Sequence, residues 1–411
     1  MAQPANHVVH NQQDGRLHDT SLPCETLLAK AREIGPLLAE YADYADENLQ
    51  LADPVIEALI EQKLFRLWQP QRYDGLEVNV LIQMLVTDEL AKHCSSAGWV
   101  TALYGACAFF AGLYSDEARD EVFGADENAR VCGILAPSAE VREVPGGIKV
   151  DGLWPYASGA AHATWATVGA PLSNGAPGTS LLLLPLSDLK TELTWNPTGM
   201  RGTASNSLRA ADLFVPSHRI LPFFSPDGAI AGHIPNEHSD ELLYRTPLAG
   251  FASACVVAPL IGMAKSALSY TLNRVVDRPV AYTFVTDQSA LVTTQIAVAE
   301  AATKIDSAEL HIHRAARDLD NAAATSTDMS LVVRARVRHD VTYGTQLLRE
   351  AMAICQQVNG SSDMARGRSF ERVWRDFSTS SLHAVLNLTT TSEVYGKILC
   401  GHDPSELSGL Y

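Results

Sequence analysis

The chain has 411 residues, 46% of them hydrophobic and 19% charged, enough to build two or three structural layers around a large core. Its formal net charge of -16 excludes non-specific binding to nucleic acid or to an anionic membrane surface, which needs a basic face. An anionic small ligand held by a few arginines remains compatible.

Residues 1–21 are polar, carry His7, His10 and His18, and read as a disordered leader with no metal site. Leu27, Leu28, Ala31, Ile34, Leu37, Leu38 and Tyr41 then recur at three and four, which predicts a helix. Asp53-Pro54 reads as an N-cap with proline behind it, opening Val55–Lys63. Val80–His93 is the next predicted helix. Ser95 and Ser96 are expected to cap Gly98–Tyr114, and Asp116 to cap Glu117–Phe123. Together these make an N-terminal helical domain over 22–128.

At about Arg130 the period changes. Val131–Ala136, Ile148–Val150, Trp165–Ala170, Ser180–Pro185 and Ala211–Val215 read as strands, separated by Pro-Gly-Gly and Gly-Ala-Pro-Gly turns. A compact antiparallel barrel or sandwich over 129–236 is expected. Helical spacing returns in Leu248–Asn273, Asp287–Leu319, Met329–Gln357, Ser369–Asn387 and Thr391–Leu399. These runs predict a C-terminal bundle over 237–411 that also buries a subunit interface. The fold class is therefore α+β, mostly α. No run of 18 apolar residues predicts a membrane span.

Several stretches can carry chemistry. In Gly152–Gly169 a strand, a Ser158-Gly159 turn and a second strand let backbone approach a flat ligand, with a hydroxyl at the turn; an ordinary hairpin around a buried tryptophan reads the same way. In Trp195–Arg219, Gly199-Met200-Arg201-Gly202-Thr203 precedes an apolar strand, with Arg201 either facing a ligand or paired to a carboxylate. Gly98–Tyr114 is a core helix compatible with walling a site. Tyr270–Ile296 carries Arg274, a break at Asp277-Arg278-Pro279, and Gln288. Val358–Ser362 stops a helix, Ser369 is expected to cap the next, and His383 follows Asp376 by seven residues, two turns along the same face. His162 and His218 read as structural. Neither G-x-G-x-x-G, a P-loop, H-E-x-x-H nor G-x-S-x-G is present, so the chain lacks an evident NAD(P)H module.

In this order the motifs resemble the acyl-CoA dehydrogenase fold, and within it the group D flavin-dependent monooxygenases, the oxygenase components of two-component systems. Trp154-x-x-x-Ser158-Gly159, Gly199–Thr203 and the Gly360 turn followed by Arg375-Asp376 carry the likeness. The dehydrogenases can place a proton-abstracting Glu about two turns beyond Arg-Asp. Here that place reads Leu382-His383-Ala384, and a histidine is typical of the monooxygenases.

The resemblance implies an N-terminal helical domain, a middle β-barrel or sandwich and a C-terminal four-helix bundle. It puts Ser158 near flavin N5 as a hydrogen-bond donor, with Trp154 and Tyr156 beside it. Arg201, Thr203 and Ser205 would contact the flavin or its ligand, and Arg274, Gly360 and Ser361 would also bind cofactor. Tyr104, Cys107 and Phe110 would line the substrate side; several phenol hydroxylases of the group carry a His where this chain has Cys107 or Phe110. His383 would be the general acid or base.

The implied cofactors are reduced flavin (FMNH2 or FADH2) and O2, with NAD(P)H acting only through a separate reductase that delivers flavin by diffusion. The implied reaction proceeds through a flavin C4a-hydroperoxide and hydroxylates an aromatic or polycyclic small molecule in natural-product biosynthesis. N-oxygenation of an amino sugar and acyl-CoA dehydrogenase-type oxidation are the alternatives. A homotetramer is implied, with no nucleic acid or membrane partner. Seven scattered cysteines without a C-x-x-C read as reduced thiols of a cytoplasmic protein.

Overall fold

The computed structural model describes residues 22–172, 178–224, 238, 240–326 and 328–408. The expected leader with His7, His10 and His18 lies outside them. The first part of the chain is helical: α1 (Leu22–Glu40), α2 (Ala42–Asn48), α3 (Asp53–Glu61), α4 (Val80–His93), α5 (Ser95–Ala111) and the single turn α6 (Asp116–Arg119). Helix α3 starts before its expected place. Ala52 is the N-cap and Pro54 sits in the first turn, where its missing N–H costs nothing. Helix α4 matches its expected bounds, and the Asn79 side chain caps it by accepting from the Ile82 N–H at 2.9 Å. Helix α5 begins earlier than expected: Cys94 is the N-cap, and Ser95 and Ser96 lie inside the helix. Helix α6 is followed by a π turn over Asp120–Gly124, and Ser115, not Asp116, precedes it as N-cap.

The middle of the chain forms β1 (Val131–Ile134), β2 (Ala139–Val144), β3 (Gly147–Ala157), β4 (Trp165–Pro171), β5 (Thr179–Pro185), β6 (Lys190–Glu192), β7 (Asn206–Pro216) and β8 (Ile220–Phe224). They make two four-stranded sheets, β1-β4-β5-β8 and β2-β3-β7-β6. The expected all-antiparallel arrangement is corrected at one pair, since β1 and β4 run parallel. Strands β2 and β6 went unread because their charges hide the alternation; both are edges, where charge blocks further pairing. The β3–β7 register shifts between Trp154 and Ala157. That bulge re-aims the end of β3, which is where Ser158 follows.

The last part holds α7 (Leu248–Arg274), α8 (Val292–Thr325), α9 (Leu331–Asn359), α10 (Ser369–Ser380) and α11 (Leu388–Leu399). Helix α7 is the hub, packed on α4, α5, α8, α9 and α10. Its stretch Gly250–Arg274 is long and apolar enough to span a bilayer, against the sequence expectation, yet most of it is buried inside the protein. The expected single helix Ser369–Asn387 is two pieces. Helix α10 stops at Ser380; near its end Ser378 and Ser380 turn their hydroxyls back onto the Trp374 and Asp376 carbonyls at 2.7 and 2.8 Å. Arg349 then holds the Ser381 carbonyl. His383 is thus not on the Asp376 face of a helix; it sits at the N-cap of a 3-10 turn, Ala384–Leu386.

Candidate active site

Two turns from the β-sheets, one helix and the α10 exit converge. Tyr156 and Gly159 both take positive φ, 70° and 80°. The Gly159 N–H donates to the Thr203 carbonyl at 2.7 Å, and its carbonyl accepts the Tyr104 hydroxyl at 2.6 Å. A side chain at Gly159 would collide with the Tyr104 ring. Tyr104 therefore supports the Ser158 turn from below, fully buried, and its hydroxyl is not free to meet a substrate.

The second turn, Gly199–Ser205, places Met200 and Ala204 in the left-handed region at φ 58° and 45°. Such strain in non-glycine residues collects at sites where geometry is over-determined. The Met200 carbonyl receives the Trp195 indole at 3.0 Å, the Thr203 N–H at 3.2 Å and the Thr203 hydroxyl at 2.8 Å. Thr203 Oγ1 lies 2.7 Å from Ser205 Oγ, and Ser205 Oγ lies 2.9 Å from Ser158 Oγ. The Trp99 indole donates to Ser158 Oγ at 3.2 Å. Thr203 and Ser205 are buried and Ser158 is half-buried at the mouth.

Helix α10 clamps this turn. The Met200 N–H donates to Asp376 Oδ1 at 2.6 Å, and any side chain at Gly199 would collide with the Arg375 carbonyl. Burial pushes the Asp376 carboxyl up to about 6, against the pull of the Met200 N–H and the Ser95 hydroxyl. Ser95 thus serves α10 rather than capping α5. Arg375 pairs with Asp46 and Glu371 and donates to the Thr198 carbonyl at 2.7 Å.

His383 completes the group. Its ring lies 5.8 Å from that of Trp99, edge-on at 60°, and its Nδ1 accepts from the Val385 N–H at 3.4 Å. That bond leaves the proton of the neutral ring on Nε2. The ring keeps a solvent-open edge, yet protein surrounds it densely enough that burial holds its pKa below the usual imidazole value.

The structure gives the other expected residues protein partners of their own. Trp154 is fully buried and donates to the Gly169 carbonyl at 2.8 Å. Arg201 is spent on the Asp46 carbonyl at 2.9 Å, Asn196 at 3.2 Å and the Pro197 carbonyl at 3.3 Å. Cys107 is buried near Gly133, and burial pushes its thiol up to about 12 against a hydrogen bond with Thr167. Phe110 packs with Phe109, Phe223 and Phe251 in the core. Tyr156 is exposed and stands edge-on to Trp195, 6.1 Å away at 87°.

Arg274, Gly360 and Ser361 belong to a separate cluster. Asp363 receives Tyr270 at 2.8 Å and Arg274 at 3.0 Å, and pairs with Arg278 at 3.3 Å. Arg278 also donates to the Asn359 carbonyl at 2.7 Å and to Ser362, rather than Ser361, at 2.9 Å.

Residues 254–388 match the family described as "Acyl-CoA dehydrogenase, C-terminal domain". The chain is 28% identical over 363 residues to the HsaA oxygenase subunit of a flavin-dependent monooxygenase from Rhodococcus jostii, covering 88% of this chain and 94% of that one. It is 28% identical to the oxygenase component of an FADH2-dependent resorcinol hydroxylase from Rhizobium sp., covering 93% and 96%. The solved structure of XiaF from Streptomyces sp. in complex with FADH2 and glycerol superposes with a TM-score of 0.86 at 28% identity, over 93% and 96% of the two chains.

Along nearly its whole length the chain is similar to flavin-dependent monooxygenases of the acyl-CoA dehydrogenase fold.

For a monooxygenase of this family the residues fit a reduced flavin. Ser158 Oγ carries one lone pair with no partner among the described residues, the positive-φ turn brings backbone close to the mouth, and Tyr156 and Trp195 offer aromatic surface. Sequence reasoning missed two residues of this monooxygenase site. Trp99 stood in the quoted Gly-Trp-Val and Asp376 in the quoted Arg-Asp, but neither was given a role, because both act through partners distant in sequence.

Proposed function

We propose that the chain is the oxygenase component of a two-component hydroxylase. It takes reduced flavin from a separate reductase, and O2, and inserts one oxygen atom into an aromatic or polycyclic small molecule. The observation that carries this reading is Trp99: one indole holds Ser158 by its N–H and packs against His383 with its ring. A hydroxyl suited to flavin N5 and an imidazole suited to the reacting oxygen are thereby set in one frame.

Reduced flavin, when bound, supplies the electrons that activate O2. The chain's own residues do the rest. Ser158 would hold the flavin at N5, with Ser205 on the Ser158 hydroxyl and Thr203 on that of Ser205. Tyr156 and Trp195 exclude water from one side. His383 Nε2 holds a proton toward the oxygen being transferred; its lowered pKa keeps the ring neutral, so the proton is a hydrogen bond until the reaction calls for it. The place of a dehydrogenase's carboxylate base is taken by this imidazole, which favours oxygenation over acyl-CoA oxidation.

The same reading includes natural-product biosynthesis, a homotetramer and the cytoplasm. Exposed Tyr282, Phe284, Val292 and Ile296 support a subunit interface, and free cysteines, six of them buried, suit a reducing compartment. The test is anaerobic titration with FMNH2 and FADH2, then mixing with O2 and phenolic substrates such as resorcinol. Hydroxylated product in step with reduced flavin consumed supports the reading. Tight binding of oxidised FAD with bleaching by an acyl-CoA overturns it.

A further inference from the structure

The hydroxyl chain has a direction. A backbone carbonyl only accepts, so Thr203 spends its one hydroxyl hydrogen on the Met200 carbonyl. Ser205, 2.7 Å away, must then donate to Thr203 Oγ1. Its hydrogen is spent in turn, so Ser158 must donate to Ser205 across 2.9 Å. At the far end an indole N–H only donates, and Trp99 gives its hydrogen to Ser158. The Trp99 end fits either order of the Ser158–Ser205 pair, so the Thr203 end sets the direction, and every hydrogen runs from Trp99 toward Met200. Ser158 is left with no hydrogen for a ligand and one free lone pair. It is wired as an acceptor, the reverse of the donor role expected from sequence.

The two redox states of flavin differ at the atom concerned. N5 of reduced flavin bears a hydrogen and donates; N5 of oxidised flavin is a bare acceptor. We propose that Thr203 and Ser205, by fixing the direction of the Ser158 hydroxyl, make the site select reduced over oxidised flavin. This rests on the placement of Ser158 at N5 in the reading above. Thr203 and Ser205 are positioning residues, since they act through Ser158. The relay is buried apart from Ser158, so water does not scramble its order, and the Asp376 clamp on the Met200 N–H keeps the terminal carbonyl in place.

Thr203→Val keeps the shape and removes the hydroxyl. Ser205 then has no acceptor but Ser158, the chain reverses, and Ser158 offers its hydrogen outward while both its lone pairs are taken by Ser205 and Trp99. Ser205→Ala frees the Ser158 hydrogen without filling its lone pair. Thr203→Ser restores the original order.

The experiment measures dissociation constants of oxidised and reduced FMN and FAD for the four proteins, with a potentiometric titration of the bound flavin. Each hydrogen bond gained or lost is worth roughly 5–10-fold in Kd. The ratio of oxidised to reduced Kd should fall at least about tenfold in Thr203→Val, a drop of about 30 mV in bound-flavin potential for a two-electron couple. It should fall less in Ser205→Ala and stay at the wild-type value in Thr203→Ser. If wild type binds reduced flavin and both disruptive variants keep the ratio within about twofold, the relay does not set the preference. If wild type binds neither redox state of either flavin, the flavin reading fails, and the inference with it.

Discussion

The clusters at the two ends of α10 are built from different materials. Near its first turn, where Tyr270 packs on Phe370 at 5.5 Å, the partners are charged: Asp363 with Arg274 and Arg278. From Asp376 to just beyond the far end of this twelve-residue helix, about 18 Å long, the partners are hydroxyls, an indole and an imidazole, beside the Arg375–Asp46 pair. Asp363 is saturated by Tyr270 and two guanidiniums. The relay ends on a lone pair with nothing to receive. One carboxylate between two guanidiniums makes a charged joint with one positive charge in excess; the hydroxyls of the relay are uncharged and ordered in one direction.

The contrast can be broken at several points. His383→Ala should slow product formation in a single turnover by roughly 10²–10⁴-fold with flavin Kd unchanged; rapid-quench product analysis reads this, and an unchanged rate would remove His383 from the chemistry. Asp363→Ala leaves guanidiniums without their partner and should cost about 2–3 kcal/mol in urea denaturation, with no loss of flavin affinity in the folded fraction.

Asp376→Asn tests the clamp through pH. The carboxyl is raised from 3.8 to about 6, so its stabilising share is complete below the unfolded value and is lost as pH rises through about 6. Asp46 deepens the shift and Arg375 opposes it. Asparagine keeps the acceptor for Met200 but does not ionise. The variant's stability should therefore be flatter between pH 4 and 7, by on the order of 2 kcal/mol relative to wild type, as followed by denaturant midpoints across that range. A parallel pH profile would mean that folding does not raise the Asp376 pKa above its unfolded value.

The smallest effect is expected from Arg274→Ala. Its side chain is 38% exposed, so the loss should stay below about 1 kcal/mol, with flavin Kd within about twofold by fluorescence quenching. A tenfold weaker Kd would turn the ionic end into a ligand site after all.

Much of this organisation was legible in the sequence. Period changes near Arg130 and Glu241 separate helices from strands, and Ser158-Gly159 and Gly199–Thr203 announce turns through glycine and small polar residues. What stayed hidden depends on partners far along the chain. Arg201 looks like a ligand contact until Asp46 is seen taking it. Trp154 looks like a platform until its indole is seen on Gly169. Residues 378–383 contain neither glycine nor proline, so local pattern continued α10 past Ser380, where the helix ends and Arg349 takes the Ser381 carbonyl. The relay's direction follows from hydrogen counting and could not be read before Thr203, Ser205 and Ser158 were known to touch.

Gly199, pressed against the backbone of Arg375 and Asp376, has a consequence for assembly. That contact spans about two-fifths of the chain and joins the sheets to the last helices without any side chain between them. No excised piece, neither the strands alone nor the terminal helices alone, holds both halves of the joint. A molecule that lacks the terminal helices should therefore lose the Asp376 hold on Met200, and with it the fixed end of the hydroxyl chain.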